Sequence, residues 1–140
     1  MRALLPALML LAGDPAPGAL TLVVDGEPRG EFARLHTADA GRATLVLEDG
    51  RMGAGLLAIW WPELPAAALE PGRHERDAPE CEGRPVTVVE TLGQGLRRRE
   101  RSWTLVDACP VAWDIRAVGD DGTVRVESLS FSGRAIAVSR

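Results

Sequence analysis

Apolar and polar residues alternate in short runs along most of the chain. Leu20, Leu22 and Val24 alternate with Thr21 and Val23 and stop at Asp25-Gly26. Ala43, Leu45 and Leu47 alternate with Thr44, Val46 and Glu48 and stop at Asp49-Gly50. Val86–Leu92, Ser102–Val106, Thr123–Phe131 and Ala135–Val138 repeat the pattern. A period of two bounded by Gly or Asp-Gly marks strands joined by tight turns, and Asp121-Gly122 is the clearest such turn. In 123–131 the phase slips, because Val124 and Val126 share one parity and Leu129 and Phe131 the other. A β-bulge near Glu127–Ser128 restores one buried face. The alternative is a strand buried on each face in turn.

One segment has a different period. Met52–Trp61 places Leu56, Leu57, Trp60 and Trp61 at i, i+3/i+4 spacing, which predicts a short amphipathic helix ending at Pro62. His74–Gly83 is charged and proline-broken and predicts an exposed loop. The order is two strands, one helix, a long loop and four strands. That order specifies a mainly β fold, mostly antiparallel, with one packed α-helix rather than an alternating α/β sheet. At 140 residues and 46% hydrophobic content the chain suits a single domain, taken as 14–140.

Residues 1–13 (MRALLPALMLLAG) are apolar with one positive charge. They fit either a signal-like segment, with Ala16-Pro17-Gly18 as a poor cleavage site, or an N-terminal extension or an early start codon. No apolar run reaches the length of a spanning helix. All sixteen basic residues are arginine, and there is no Lys, Asn or Tyr. A formal net charge of −4 argues against general nucleic-acid binding. The one basic run, Arg97-Arg98-Arg99 with Arg101, is flanked by Glu90 and Glu100; it predicts an exposed turn and strand start, with an anionic partner as the alternative.

Candidate chemistry is sparse. A phosphate loop of the Gly-Lys-Ser/Thr type needs a lysine, and Gly50, Gly53 and Gly55 do not form a dinucleotide fingerprint. His36, His74, Cys81 and Cys109 lack the paired spacing of a zinc site. A cysteine nucleophile at Cys109 would need His36 or His74 as its base, and Cys109 precedes Pro110 inside an apolar run, where it suits a small buried hydrophobe. Cys81 and Cys109 can form one disulfide if the chain is exported. The acidic pairs Glu80/Glu82 and Asp120/Asp121 fall in turns and are expected to be solvated. The expectation is therefore a protein that is not an enzyme and uses no cofactor or metal.

The second half carries a distinctive run: Arg101-x-Trp103, then Ala108-Cys109-Pro110-Val111-Ala112-Trp113, a polar loop 116–122, and Val124-Arg125-Val126-Glu127-Ser128-Leu129-Ser130-Phe131 ending at Gly133. This run resembles the tail-tube proteins of contractile phage tails and related injection systems, and the resemblance implies their Hcp-like fold, an antiparallel β-barrel or sandwich with one packed α-helix. Upstream, Asp14-Pro15 with 20–26 and Gly30-x-Phe32, 44–47 with 56–61, and 86–90 with Gly93 are similar to earlier parts of the same family. The chain departs from the family where a long segment between the second and third strands is reduced to 36–42, and where residues 1–13 are apolar. The resemblance implies a structural motif at Arg101, Trp103, Ala108, Pro110, Trp113, Val126, Glu127, Leu129 and Gly133. It also implies lumen-facing positions at Arg125, Glu127, Ser128 and Ser130. The implied function is a tube subunit, or a tube-associated paralogue, that assembles through its sheet edges. Its expected partners are itself, in a hexameric ring, and sheath, baseplate or spike proteins, with cytoplasmic assembly into a particle. The alternative is an exported, periplasmic β-sandwich interaction module with a Cys81–Cys109 disulfide. In the first setting Trp103 and Trp113 anchor a strand-to-loop corner and Cys109 is filler, so Cys109→Ala is expected to leave assembly nearly intact.

Overall fold

Eight strands account for most of the chain in a computed structural model, which describes residues 19–76, 81–93 and 95–139. They are β1 (Leu20–Val24), β2 (Glu27–Ala40), β3 (Arg42–Gly53), β4 (Gly72–Glu75), β5 (Arg84–Leu92), β6 (Arg99–Val118), β7 (Thr123–Gly133) and β8 (Ala135–Ser139). The apolar segment 1–13, the cleavage-like 16–18 and Asp14-Pro15 lie outside the described residues.

All pairings are antiparallel. The ladder runs β6–β5–β1–β2–β3–β7 and returns to β6, which closes a barrel. Closure satisfies strand edges that an open sheet leaves bare. Two long strands make this closure work. Residues 99–108 of β6 pair with β5 and residues 109–118 with β7, so β6 turns from one wall to another at Asp107, whose φ is +55°. β2 does the same, pairing with β1 up to Phe32 and continuing along β3 to Ala40. β4 and β8 lie outside the closed ring, each paired to β6. β7 and β8 follow the same edge of β6 in nearly one register, from Val118↔Val124 to Ser102↔Ser139.

The alternating strands bury the expected parity. Leu20, Leu22, Val24, Ala43, Leu45, Leu47, Val86, Val88, Leu105, Val124, Val126, Leu129 and Phe131 form the interior. The phase slip in β7 is a bulge, since its pairing with β6 jumps from Asp114↔Ser128 to Ile115↔Val126. Its neighbours are irregular at the same level: Asp49 and Glu127 are skipped between β3 and β7, and Ala33 and Asp49 between β2 and β3. A line of kinks thus crosses the wall and bends it around the core. Asp49, at φ +54°, sits in this line. Asp49-Gly50 therefore does not end a strand, as its sequence suggests; β3 runs through it to Gly53. A Cβ on Gly50 would collide with the Glu31 carbonyl oxygen and lie 2.7 Å from Phe32 Cα, so the kink needs glycine there. At Asp25-Gly26, by contrast, φ values of +55° and +79° suit the two-residue hairpin turn that the pattern predicts.

Four expectations need correction. The amphipathic helix over 52–61 is absent: β3 pairs with β7 as far as Gly53↔Thr123, and what remains forms only a 3-10 turn, Leu57–Ile59. Leu56, Leu57, Trp60 and Trp61 are nonetheless all buried, because a single turn meets the same i, i+3/i+4 spacing. The stretch 36–42 is not a short connection, since β2 extends to Ala40 and the hairpin turns at Gly41. The expected loop 74–83 begins as strand β4, and 116–118 of the expected polar loop remain in β6.

Candidate functional site

Five of the nine motif residues lie on β6, whose backbone is pinned at its bend from several sides. Ala108 is fully buried, and its carbonyl accepts the Trp60 indole N–H at 2.9 Å. Cys109 is joined to Cys81 by a disulfide across a Cα separation of 6.1 Å. Gly83 packs so closely on Asp107 that a Cβ would meet its carbonyl carbon at 2.7 Å. Pro110 opposes Phe131 at a register shift, where a missing N–H costs least. Trp113, 1% exposed, donates its indole N–H to the Ala68 carbonyl at 2.7 Å and lies beside Trp61 (5.9 Å) and under His74 (6.1 Å, 24° between planes). The Arg76 guanidinium covers Trp61 at 4.7 Å.

Two earlier readings change here. Residues 102–115 are one bent strand and not a strand leading into a loop. Cys109 is half of a covalent tie, so it is more than filler.

Arg101 hydrogen-bonds Glu90 at 2.7 Å and stacks over half-buried Trp103 at 4.8 Å. Val126 and Leu129 are core residues. A Cβ on Gly133 would meet the Val106 carbonyl oxygen at 2.6 Å, so glycine lets β7 pass β6 closely before β8 begins.

The four positions proposed to face a lumen share the outer side of β7. Arg125 and Glu127 are exposed and Ser128 and Ser130 half-exposed. Around Glu127 an ion-pair chain spans four strands. His36 Nε2 contacts Glu48 at 2.8 Å, Arg34 bridges Glu48 (3.2 Å) and Asp49 (2.8 Å), and Arg116 joins Asp49 (3.0 Å) to Glu127 (2.6 Å). Hydrogen bonds from His36 and then Arg34 hold the Glu48 carboxyl below its usual range. Hydrogen bonds to Glu48 and Asp49 raise Arg34, and one to Glu127 raises Arg116. In the β6–β7 turn the Thr123 amide donates to Asp121 Oδ1 at 3.0 Å and lowers that carboxyl. These groups flank an open concavity of about 1070 Å³, with Glu31, Asp49, Arg51, Arg116, Asp121 and Arg125 on its wall. Both signs of charge alternate there, and most of the acids are already paired.

Among the described residues no group of three or more His, Cys, Asp or Glu is arranged to hold a metal. His36 and His74 contact Glu48 and the Glu70 carbonyl, and Cys109 carries no free thiol. Among the described residues no helix is long and apolar enough to cross a membrane.

The strand edges are the more informative surface. Among the described residues β8 pairs on one side only, with β6, and 33–40 of β2 pair on one side only, with β3. β8 reads Ala-Ile-Ala-Val-Ser, with no charge and no proline, and Val138 is 53% exposed. Natural sheets usually protect such an edge with charge, proline or a bulge. The resemblance said nothing of β8, and its only sequence signal was a short apolar alternation after Gly133. Against family models, curated proteins and solved structures, the chain has no match.

Proposed function

We propose that this chain is a structural, non-enzymatic subunit of a tube in a contractile phage-tail-like or injection particle, or a paralogue associated with such a tube, assembling through its sheet edges. The observation that carries the reading is the β8 edge, left unpaired by the described residues, which another copy's strand can extend with backbone hydrogen bonds. The one-sided stretch 33–40 of β2 supplies a second edge, and pairing unlike edges closes a ring under cyclic symmetry. Arg125, Glu127, Ser128 and Ser130 then line the ring's polar face. Sheath, baseplate or spike proteins are the further partners this role requires, with assembly in the cytoplasm. The test is the size of the purified protein by light scattering and negative-stain microscopy. Rings of six copies are expected, and Val138→Lys, a charge placed at the β8 edge, should leave monomers. A wild-type protein that stays monomeric at high concentration overturns the proposal.

The Cys81–Cys109 disulfide favours a second reading, an exported β-sandwich interaction module, because disulfides persist in oxidising compartments. Mass spectrometry of the protein from its native host separates the two. Loss of about the first 18 residues, near the Ala16-Pro17-Gly18 site, together with no free thiol supports export. An intact Met1 with two free thiols removes that reading.

A further inference from the structure

The β5–β6 hairpin ends in a feature that neither reading uses. Its tip contains a 3-10 turn, Gly95–Arg97, made tight by Gly93 and Gly95 at φ +76° and +57°. Leu96 stands at the apex with a relative exposure of 107%, the most exposed large hydrophobic residue of the described chain. Arg97, Arg98 and Arg99 follow it directly and are all exposed. Arg98 reaches Glu100 at 3.5 Å, whereas Arg97 and Arg99 form no ion pair among the described residues.

The next rungs of the same end continue the pattern. Arg101 lies over Trp103, and Trp103 is in register with Val138. Two of the three exposed large hydrophobics, Leu96 and Val138, therefore fall at this end of β6, while Val118 lies at the other. Four arginines (97, 98, 99 and 101) face two acids here, Glu90 and Glu100, a local balance of +2 in a chain of net charge −4.

We infer that this tip is a docking site for an anionic membrane surface. An apolar apex ringed by guanidinium groups matches the lipid–water boundary, where the leucine enters the headgroup layer and the arginines meet lipid phosphates. A nucleic acid or an acidic protein would use the arginines but gain little from a leucine at the apex. Charge complementarity and the protruding leucine together select the bilayer.

The test is flotation of the full chain, disulfide intact, with phosphatidylcholine vesicles containing about one-third phosphatidylglycerol, against phosphatidylcholine alone. Binding to the anionic vesicles is expected at about 0.05 M salt and largely lost at about 0.5 M, where the screening length shrinks several-fold. Each arginine near such a surface contributes about fivefold, so Arg97→Gln with Arg99→Gln should weaken binding about 25-fold. Arg97→Lys with Arg99→Lys should retain it. Leu96→Asp should weaken it about fivefold or more by removing the inserted group and adding a repelled charge. All of these positions are exposed, and unchanged melting curves confirm intact folds. No flotation with anionic vesicles, or equal flotation with neutral ones, overturns the inference. So does binding that ignores Leu96→Asp while a DNA oligonucleotide or heparin is captured with the same arginine dependence.

Discussion

Replacing Trp113 with alanine tests whether β6 is held by its aromatic anchor. The side chain is 1% exposed, in contact with Trp61 and His74, and its N–H is committed to the Ala68 carbonyl. A buried tryptophan removes about 150–250 Å² from water, which at about 25 cal/mol per Å² corresponds to about 4–6 kcal/mol. Residual structure in the unfolded chain reduces that gain by roughly 10–40%. The lost hydrogen bond adds about 1 kcal/mol to the cost, since the Ala68 carbonyl is left without its donor. The expected net loss is therefore about 4 kcal/mol, within the range for Trp→Ala in well-packed cores. With a urea m-value of about 2 kcal/mol/M, the unfolding midpoint should fall by about 2 M. Trp113→Phe keeps most of the packing and should lose only about 1–2 kcal/mol. Equilibrium urea unfolding followed by far-UV circular dichroism, disulfide intact, measures both. A loss below about 1 kcal/mol for Trp113→Ala at unchanged m would refute the idea that the indole secures the 66–71 segment to the barrel.

Three further perturbations probe other parts of the fold. Reducing Cys81–Cys109, or replacing both by serine, should cost about 3.5 kcal/mol in the chain-entropy model for a separation of 28 residues, measured by urea unfolding with and without reductant; a loss under about 1 kcal/mol would return Cys109 to the role of filler. Gly50→Ala should cost at least about 2 kcal/mol, because the new methyl has no room beside Glu31 and Phe32 at the kink, whereas Gly55→Ala, which meets nothing within 4 Å, should be nearly neutral in the same assay. Glu48 has a carboxyl pKa below its ordinary 4.5, so its stabilising contribution is present above that value and is lost as pH falls through the lower folded-state pKa. Unfolding midpoints from pH 6 downward should show this acid loss in the wild type and a smaller one in Glu48→Gln; identical profiles would place the acid sensitivity elsewhere.

Much of the barrel was legible because a strand with one face in the core must alternate. That constraint located β1, the first half of β3, β5, the middle of β6, β7 and β8, and the slip at Glu127–Ser128 announced its bulge. β2 escaped because it buries Phe32 alone, so EPRGEFARLHTADA has no period to detect. The segment 52–61 was assigned to a helix because spacing of three and four describes one turn as well as three. Only the competing ladder from β3 to β7 could show that the backbone up to Gly53 was already taken. Local pattern reports which face of a residue is buried, and it cannot report what that face meets. The tie between Cys81 and Cys109, the seating of Trp113 on the Ala68 carbonyl and the need for glycine at Gly50 and Gly133 all depend on segments distant in sequence. The same is true of the bare edge of β8: its apolar alternation is written in the chain, but that no described strand covers it follows only from how the barrel closes.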